Sequence, residues 1–517
     1  MRKFFIFHPF GFAVFPLLLI FSNNAGEIPL RGLVIPLLIV VCFTGMSLLL
    51  LRMFIGNLDK RALVLSVFLL LLFSYGHAVR AARNIGFPDN TVLGPEAIVF
   101  ILWSILLVIL TYAALRTDRE LRPWTRVLNV VAGILLGVQI IVGGNTLLSA
   151  TATTTIPNLA SPDRLTTAEL PDIYYIIVDG YARADVLQRI YNYDNSEFLS
   201  FLRARGFYVA EQSTTNYCQT ALSLASSLNF DYLQKLATFD KNSNDRALLL
   251  GILHNNCVFA FLRHLGYTII APASGYAYTE FVAADHYLTP GMTLSELDNS
   301  ILSLTPVPFI MNLGKTQYDF HRDRQNYILN NMPSFKDGTP PRFIIAHLVL
   351  PHPPFVFGRD GEPITRTRLF NFSDGSHYYR DGGSPEEYLD GYRNQLAYLN
   401  RRLRKTIEDI LTAGRTRPPI VIIQADHGPG SHLDWGLLTA TDVTERMGIL
   451  NAYYLPGLPQ NPLYTAITPV NTFRVIFNEY FGTAYPLLPD RNYFSTINLL
   501  YDFSDVTDMV GMPPVSP

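Results

Sequence analysis

The sequence predicts two parts: a five-helix transmembrane region and, after it, an α/β domain with a mostly parallel central sheet covered by helices. Only 16% of the 517 residues are charged, against about 25% in soluble globular chains, and the apolar excess lies almost wholly before residue 150. After residue 171, short apolar runs alternate with helical patterns, which is typical of a parallel sheet. The predicted boundaries are 1–149 for the membrane region, 150–171 for a linker and 172–517 for the second domain.

Five apolar stretches predict the membrane-spanning helices, because a helix needs about 20 apolar residues to cross a bilayer. They are residues 4–21, 32–54, 62–79, 97–115 and 127–148. The first follows Arg2 and Lys3 as in a signal peptide, but no small-residue cleavage site comes after it, which favours a retained anchor. No charged residue lies at the middle of any stretch, which disfavours a proton or ion pathway.

The positive charges predict the orientation, since lysines and arginines collect in cytoplasmic loops. With a cytoplasmic N-terminus, the cytoplasmic side carries Arg2, Lys3, Arg52, Lys60, Arg61, Arg116, Arg119, Arg122 and Arg126. The outer loops carry only Arg31, Arg80 and Arg83. Five spans then place everything after residue 150 outside. We therefore expect a multi-pass cell-membrane protein whose large domain is periplasmic or extracellular.

Charge and cysteine content narrow the function classes. The net charge is −2 and no basic run is interleaved with aromatic residues, so nucleic acid is not an expected partner. Of the three cysteines, Cys42 lies in an apolar stretch, while Cys218 and Cys257 lie in the second domain. In an exported domain these two either form a disulfide or remain buried thiols, and both alternatives stay open.

Residues that can carry chemistry follow three of the predicted strands. The strands are predicted at 172–178, 267–271, 343–350, 420–423 and 449–455, with helices at 185–205, 221–236, 245–265 and 385–413. The first strand ends in Asp179-Gly, the third runs into Pro-His352-Pro-Pro-Phe, and the fourth ends in Asp426-His427-Gly. Because ligands bind at the carboxyl ends of parallel strands, we expect these side chains to meet at one edge of the sheet.

Asp179, Asp426 and His427 predict a divalent metal site, since two carboxylates and an imidazole suit zinc or manganese, and magnesium less well. Thr220 lies where a loop becomes a helix, so exposed N–H groups and the positive end of the helix dipole are beside its hydroxyl. A neighbouring metal would favour the alkoxide, which makes Thr220 the candidate nucleophile. Taken singly, these residues also fit a simple turn or a helix cap. Their convergence favours a site.

The order of these residues resembles the sulfatase-like branch of the alkaline phosphatase superfamily, over about residues 172–485. The matching motifs are Val-Asp179-Gly, the helix-starting Thr220, Pro-His352-x-Pro-Phe, Asp426-His427-Gly and Glu445-Arg446-Met-Gly-Ile-Leu-Asn. With five preceding spans, the chain further resembles lipoteichoic acid synthases and lipid A phosphoethanolamine transferases. The resemblance implies an alkaline-phosphatase-like fold, a metal held by Asp179, Thr220, Asp426 and His427, a transiently phosphorylated Thr220, and contact of His352 with the substrate.

Two departures from the family patterns matter. Asp179 stands where the transferases usually have Glu. Cys218 is followed by Gln-Thr-Ala-Leu, without the Pro and Arg of the motif that true sulfatases convert to formylglycine, so ordinary sulfate-ester hydrolysis is disfavoured.

Further candidates surround this set. His432 is a candidate ligand of a second metal, with His347 and His377 also available, or else a solvated loop residue. Arg183 and Arg446 are candidates for holding an anionic substrate group, because guanidinium suits phosphate, although each can instead pair with a neighbouring acid.

Three functions follow from these residues. The first is a transferase that moves a phospho-headgroup from a membrane lipid donor to an envelope lipid or glycan acceptor through Thr220. The second is a hydrolase of phosphate or sulfate esters with the same site. The third is a non-catalytic binding or sensor module, which the apparent completeness of the metal ligands disfavours.

Overall fold

The computed structural model describes residues 5–23, 30–85, 94–149, 170–291, 296–311, 316–335, 337–365, 368, 370–413, 417–458 and 462–511. Residues 150–169 of the predicted linker lie outside the described residues. The described chain forms two compact units, one from residues 1–151 and 294–316 and the other from 152–293 and 317–517.

The helices are, in chain order, α1 His8–Asn23, α2 Leu30–Leu51, α3 Leu58–Asn84, α4 Pro95–Arg116, α5 Arg122–Ser149, α6 Ala184–Tyr191, α7 Ser196–Ala204, α8 Thr220–Leu228, α9 Leu233–Leu236, α10 Ala247–His254, α11 Cys257–His264, α12 Glu296–Ser303, α13 Val307–Met311, α14 Gln317–Asn331, α15 Gly375–Arg380, α16 Pro385–Thr412, α17 Val443–Met447 and α18 Pro469–Phe481. The strands are β1 Ile173–Val178, β2 Tyr208–Val209, β3 Thr268–Pro272, β4 His286–Leu288, β5 Arg342–Leu348, β6 Ile420–Gln424, β7 Asn451–Tyr454, β8 Tyr493–Phe494 and β9 Ser504–Asp505.

Four helices of the first unit, α2 to α5, are long and apolar enough to cross a membrane. Large apolar side chains such as Leu38, Ile109 and Ile140 are exposed on them, as expected for helices that face lipid. The first predicted span corresponds to α1, an apolar helix of 16 residues that is shorter than the other four.

The first unit also contains α12 and α13, which come from the middle of the predicted second domain. Leu297, Ile301 and Leu304 join the apolar cluster of α1 and α3, and Phe309 lies against Phe100 of α4. The apolar side chains of this segment explain why it packs with the membrane helices.

The second unit is built on a seven-stranded sheet in the order β2-β7-β6-β1-β5-β3-β4. The strands from β6 to β4 pair in parallel, whereas β7 and β2 pair antiparallel at one edge. Alternate residues of β1 enter apolar clusters on opposite faces, Tyr175 in one and Tyr174 in the other. Burial on both faces accounts for the unbroken apolar run of this strand. The predicted mostly parallel sheet with helices on both faces is confirmed.

Three predicted helices are each divided. The helix predicted at 221–236 is α8 and α9, with the non-helical residues 229–232 between them. The helix predicted at 185–205 is α6 and α7, because Asn192 adopts a left-handed conformation (φ 45°) that ends α6. The helix predicted at 245–265 is α10 and α11, because the Asn256 side chain accepts the Phe259 N–H and starts a new helix. Cys218 and Cys257 are both buried free thiols, so the disulfide alternative is wrong.

Candidate metal and active site

Adjacent strands bring the predicted residues together at one edge of the sheet. β1 is the central strand and pairs with β5 on one side and β6 on the other. Asp179 follows β1, His352 follows β5, and Asp426 and His427 follow β6. The chain turns sharply after Asp179 because Gly180 takes a positive φ of 70°, which favours glycine. All four side chains are buried.

His427 shows which of its ring nitrogens faces the site. Its Nδ1 lies 2.9 Å from the carbonyl oxygen of Gly428, so Nδ1–H donates and Nε2 carries no proton. Nε2 lies 3.1 Å from Thr220 Oγ1, 3.5 Å from Asp179 Oδ1 and 3.4 Å from Asp426 Oδ2. Burial, and then the nearby Arg446, lower the pKa of His427, so the imidazole is kept neutral, as a metal ligand requires.

The donor atoms fit a divalent cation. Among the described residues, Asp179, Asp426 and His427 are the group of acidic, histidine or cysteine side chains whose ligand atoms lie within 4.8 Å of one another. Asp179 Oδ1 and Asp426 Oδ2 are buried without a hydrogen-bond partner. Two buried carboxylates that face an unprotonated nitrogen are costly without a positive charge between them. A cation supplies that charge, and oxygen with imidazole ligands suits zinc or manganese.

Thr220 is the first residue of α8 and is 5% exposed. The helix cap is Gln219, so the Thr220 hydroxyl is not used for capping and instead contacts His427. All nine residues of α8 are buried, which fixes the position of the hydroxyl. Thr215, in the loop before α8, connects that loop to the one that follows β6, because its hydroxyl donates to the Asp426 carbonyl at 2.5 Å.

His347 lies next to Asp179 from the adjacent strand. Its Nε2 is 3.3 Å from Asp179 Oδ2, and its Nδ1 is 2.7 Å from Thr279 Oγ1. Burial opposes ionisation of Asp179, but His352 and the hydrogen bond from His347 outweigh it and lower the pKa of the carboxyl below its ordinary value. From the sequence, His347 was a candidate only as an additional ligand for a second metal. Its pairing with Asp179 follows from the register Ile177–His347 between β1 and β5.

Asp374 is a site residue that sequence reasoning missed. Its carboxylate accepts from Arg446 Nη1 at 2.8 Å and from the Tyr388 hydroxyl at 2.5 Å, and it lies 3.7 Å from His352 Nε2. Burial raises the pKa of Asp374, but His352 and Arg446 outweigh it and hold that pKa below its usual value. The only sequence signal was an Asp-Gly pair, one of six in the chain, and it follows no predicted strand.

The neighbouring backbone fixes the orientation of the His352 ring. Nδ1–H donates to the Pro353 carbonyl at 2.6 Å, which leaves Nε2 facing Asp374 and the site. Burial lowers the pKa of His352, but the carboxylates of Asp179 and Asp374 raise it above the ordinary value for histidine.

The two arginines make internal contacts. Arg446 is 1% exposed and binds the carbonyl oxygens of Cys218 and Gly428 as well as Asp374. It therefore joins the loop before Thr220 to the loop after His427. Arg183 pairs with Asp185 and donates to the carbonyl oxygens of Gln212 and Ser213. Arg183 also lines a surface cavity of about 440 Å³. The residues lining this cavity do not include Asp179, Thr220, Asp426 or His427.

His432 does not join the metal cluster within the described part of the chain. Its Nδ1 lies 3.2 Å from Glu445 Oε2, and its side chain is 58% exposed. Glu445 is fully buried and also accepts from Tyr191 and Ser431, so it holds the loop that carries His432. The structure therefore gives no support to a second metal at His432.

The sulfatase family model matches residues 171–508, which is more than half of the chain. No curated protein matches the sequence. The periplasmic domain of EptC from Escherichia coli, solved with Zn, has 12% identity and a TM-score of 0.44, covering 69% of this chain and 98% of that one. The integral membrane phosphoethanolamine transferase EptA from Neisseria meningitidis has 12% identity and a TM-score of 0.37, covering 86% and 88%. Phosphonate monoester hydrolase from Agrobacterium radiobacter has 11% identity and a TM-score of 0.41, covering 63% and 80%.

These TM-scores are low, so the assignment rests on the match of the family model. That match covers the strand ends and the helix start that form the cluster of Asp179, Thr220, Asp426 and His427. The chain belongs to the sulfatase family and is an enzyme that acts on esters of phosphate or sulfate.

Proposed function

We propose that the chain is a membrane-anchored, metal-dependent transferase that moves a phospho-headgroup from a lipid donor to an envelope lipid or glycan. The observation that carries this proposal is the Thr220 hydroxyl, buried at a helix start and 3.1 Å from the unprotonated nitrogen of His427. The apolar helices of the same chain favour a donor that resides in a membrane. The lack of a formylglycine motif around Cys218 favours a threonine nucleophile over sulfate-ester hydrolysis.

Asp179, Asp426, His427 and Thr220 would hold the metal, which we expect to be zinc, manganese or, less well, magnesium. When bound, a divalent cation lowers the pKa of a neighbouring hydroxyl and offsets negative charge on a transferred phosphoryl group. The first N–H groups of α8 have no acceptor within the helix and are available to phosphoryl oxygens beside Thr220.

In the first step, the Thr220 hydroxyl releases its proton to solvent, and Oγ1 attacks the phosphorus of the lipid phosphodiester. The Oγ1–P bond forms, the bond from phosphorus to the diacylglycerol oxygen breaks, and diacylglycerol leaves as an alcohol. We assign His352 Nε2 as the group that gives that oxygen its proton, since Nδ1–H is fixed on Pro353 and Nε2 faces the site. In the second step, an acceptor hydroxyl gives its proton to His352 Nε2, which lost its own proton in the first step, and the acceptor oxygen attacks the same phosphorus. The Oγ1–P bond breaks, and Oγ1 takes a proton from solvent, which restores the Thr220 hydroxyl.

We infer five membrane spans, α1 to α5, with the N-terminus in the cytoplasm and the second unit outside. Gly76 near the end of α3 contacts Leu304, and Phe100 near the start of α4 contacts Phe309. The α12–α13 segment, which belongs to the exported part of the sequence, therefore lies at the end of the bundle where α3 finishes and α4 begins. This agrees with the end that the charge bias assigns to the outside.

The test uses full-length protein and headgroup-labelled phosphatidylglycerol or phosphatidylethanolamine. We expect wild type to form a covalent adduct on the peptide containing Thr220, detectable by mass spectrometry, and to pass label to an envelope acceptor. Thr220→Ala should lose both the adduct and turnover.

The matched control is Ser226→Ala in the same helix, because the Ser226 hydroxyl donates to the Asp231 carbonyl, outside the metal cluster. It should form the adduct and turn over as the wild type does. Full activity of Thr220→Ala would contradict the mechanism, and free headgroup phosphate without acceptor labelling would indicate a hydrolase.

A further inference from the structure

The α12–α13 segment, residues 296–311, fits closely against the membrane helix α3. The Gly76 N–H lies 3.0 Å from the Leu304 carbonyl oxygen. A Cβ atom at position 76 would lie 2.0 Å from the carbonyl oxygen of Ser303, so only glycine permits this approach. The contact is between two backbones rather than between adaptable side chains. The segment therefore has a defined place on the membrane unit.

The same end of the membrane unit carries basic side chains. His77 and Arg80 are exposed on α3, and Arg80 lies one turn beyond Gly76 on the same helix face. Arg80 Nη2 contacts His77 Nδ1 at 3.2 Å and Arg80 Nε contacts the Gly76 carbonyl at 3.4 Å. In the part of the chain that the structure describes, no carboxylate pairs with Arg80. Its neighbour Arg83, by contrast, forms an ion pair with Glu96.

Apolar side chains lie beside these basic groups. Phe309 packs on Phe100 with ring centroids 5.5 Å apart and joins the cluster of Tyr75 and Val79. Ile310, the next residue of α13, is 47% exposed. A short apolar helix beside basic residues at the end of a membrane helix is the pattern that binds the boundary between headgroups and acyl chains.

We propose that this end of the membrane unit is a binding site for an anionic phospholipid. Arg80 and His77 contact the headgroup phosphate, and α13, through Ile310, lies against the acyl chains. A charged side chain near the end of a membrane span, without an acidic partner, attracts anionic lipid headgroups. The proposal rests on the proposed function in one respect: this is where the lipid donor would collect before transfer.

The test uses the full-length Thr220→Ala protein, so that donor turnover does not enter the measurement. Cys42→Ser removes the exposed thiol and Ile310→Cys supplies a labelling position, because Cys218 and Cys257 are buried. The fluorescently labelled protein is placed in phosphatidylcholine nanodiscs that contain the same minor fraction of acyl-brominated phosphatidylglycerol or acyl-brominated phosphatidylcholine. We expect quenching at position 310 to favour the phosphatidylglycerol probe about fivefold, the preference that one basic residue near a membrane surface gives.

One test variant and two control variants make the outcome decisive. Arg80→Gln should make the two probes quench equally, whereas Arg52→Gln, an exposed arginine at the opposite end of the helices, should leave the preference intact. A label at Leu437→Cys, 54% exposed in the second unit, gives the signal of a position outside lipid. Quenching at 310 no greater than at 437, equal quenching by the two probes, or no effect of Arg80→Gln would each overturn the site. The Thr220 adduct of the wild type tests the transferase separately.

Discussion

At the scale of single residues, His427 decides what the site can bind. Its Nδ1 is held by the Gly428 carbonyl, and its Nε2 is directed at three oxygen-bearing side chains. A protonated Nε2 would make this a plain hydrogen-bonded cluster. The tautomer fixed by Gly428 instead gives a lone pair aimed at two carboxylates, which requires a cation.

Asp426→Asn should weaken metal binding at least tenfold, because even changes behind the ligands cost about 10–100-fold in affinity. The measurement is metal content after dialysis, followed by titration with zinc and with manganese. Asp434→Asn in the same loop is the matched control and should bind metal as the wild type does. Equal metal content in Asp426→Asn and wild type would contradict the assigned ligand set.

His432 predicts a pH dependence of stability. Its hydrogen bond to the Glu445 carboxylate raises the pKa of His432 above the ordinary value. The stabilisation is therefore fully present below about pH 6.5, the unfolded value, and is lost as pH rises through the higher folded pKa. His432→Gln should lower the thermal unfolding midpoint at pH 6 and leave it unchanged at pH 9.

The size of that effect should stay below about 1 kcal/mol, because the His432 side chain is 58% exposed and solvent screens the pair. His264→Gln, an exposed histidine at the end of α11, controls for loss of an imidazole. A larger loss at pH 9 than at pH 6 would have the wrong sign for this interaction.

At the scale of elements, the site is held by loops that are tied together behind it. Arg446 on α17 binds the loop before α8, the loop after β6 and Asp374 at the start of α15. Its guanidinium also lies over the Trp435 ring, 5.1 Å from the centroid. These contacts fix the Thr220 and His427 loops relative to each other.

Arg446→Met should destabilise the second unit by about 3–5 kcal/mol, because it leaves the buried Asp374 carboxylate without its cation. The measurement is chemical unfolding of the full chain followed by tryptophan fluorescence. Arg446→Met combined with Asp374→Asn should recover part of the loss, since the unpaired charge is then removed. Additive losses in the double variant would show that the pair is not coupled.

At the scale of the whole molecule, the chain crosses between its two units more than once. Residues 294–316 return from the second unit to the membrane helices, and residues 317–517 then complete the sheet. β5 and β6, which deliver His352, Asp426 and His427, follow this return. The edge of the sheet that carries the candidate site is thus assembled from chain that comes before and chain that comes after residues 294–316.

Reporter fusions test the proposed membrane topology of five spans with a cytoplasmic N-terminus. An alkaline phosphatase reporter, which is active only when exported, should be inactive when fused after Arg119 and active when fused at the C-terminus. A fluorescent reporter that folds only in the cytoplasm should give the reverse pattern at the same two positions. Export of the fusion after Arg119 would contradict five spans with a cytoplasmic N-terminus.

The sequence by itself determined the membrane region, the mostly parallel sheet and the strand ends that carry Asp179, His352, Asp426 and His427. Apolar length and strand periodicity are local properties, so a single stretch of chain reveals them. The helix breaks at Asn192 and Asn256 could not be predicted from the sequence, because the apolar pattern continues across each cap.

Only the tertiary structure decided which further residues join the site and how the α12–α13 segment packs. Asp374 and His347 enter the site through contacts with residues distant in sequence, Arg446 and Asp179, and no local pattern marks such pairs. Arg446 and His432 are residue types that suit a substrate or a metal. Their contacts in the fold could not be read from the sequence: Arg446 is buried and pairs with Asp374, and His432 pairs with Glu445. The α12–α13 segment packs on the membrane helices because Gly76 leaves space for its backbone, a fit between surfaces that exists only after folding.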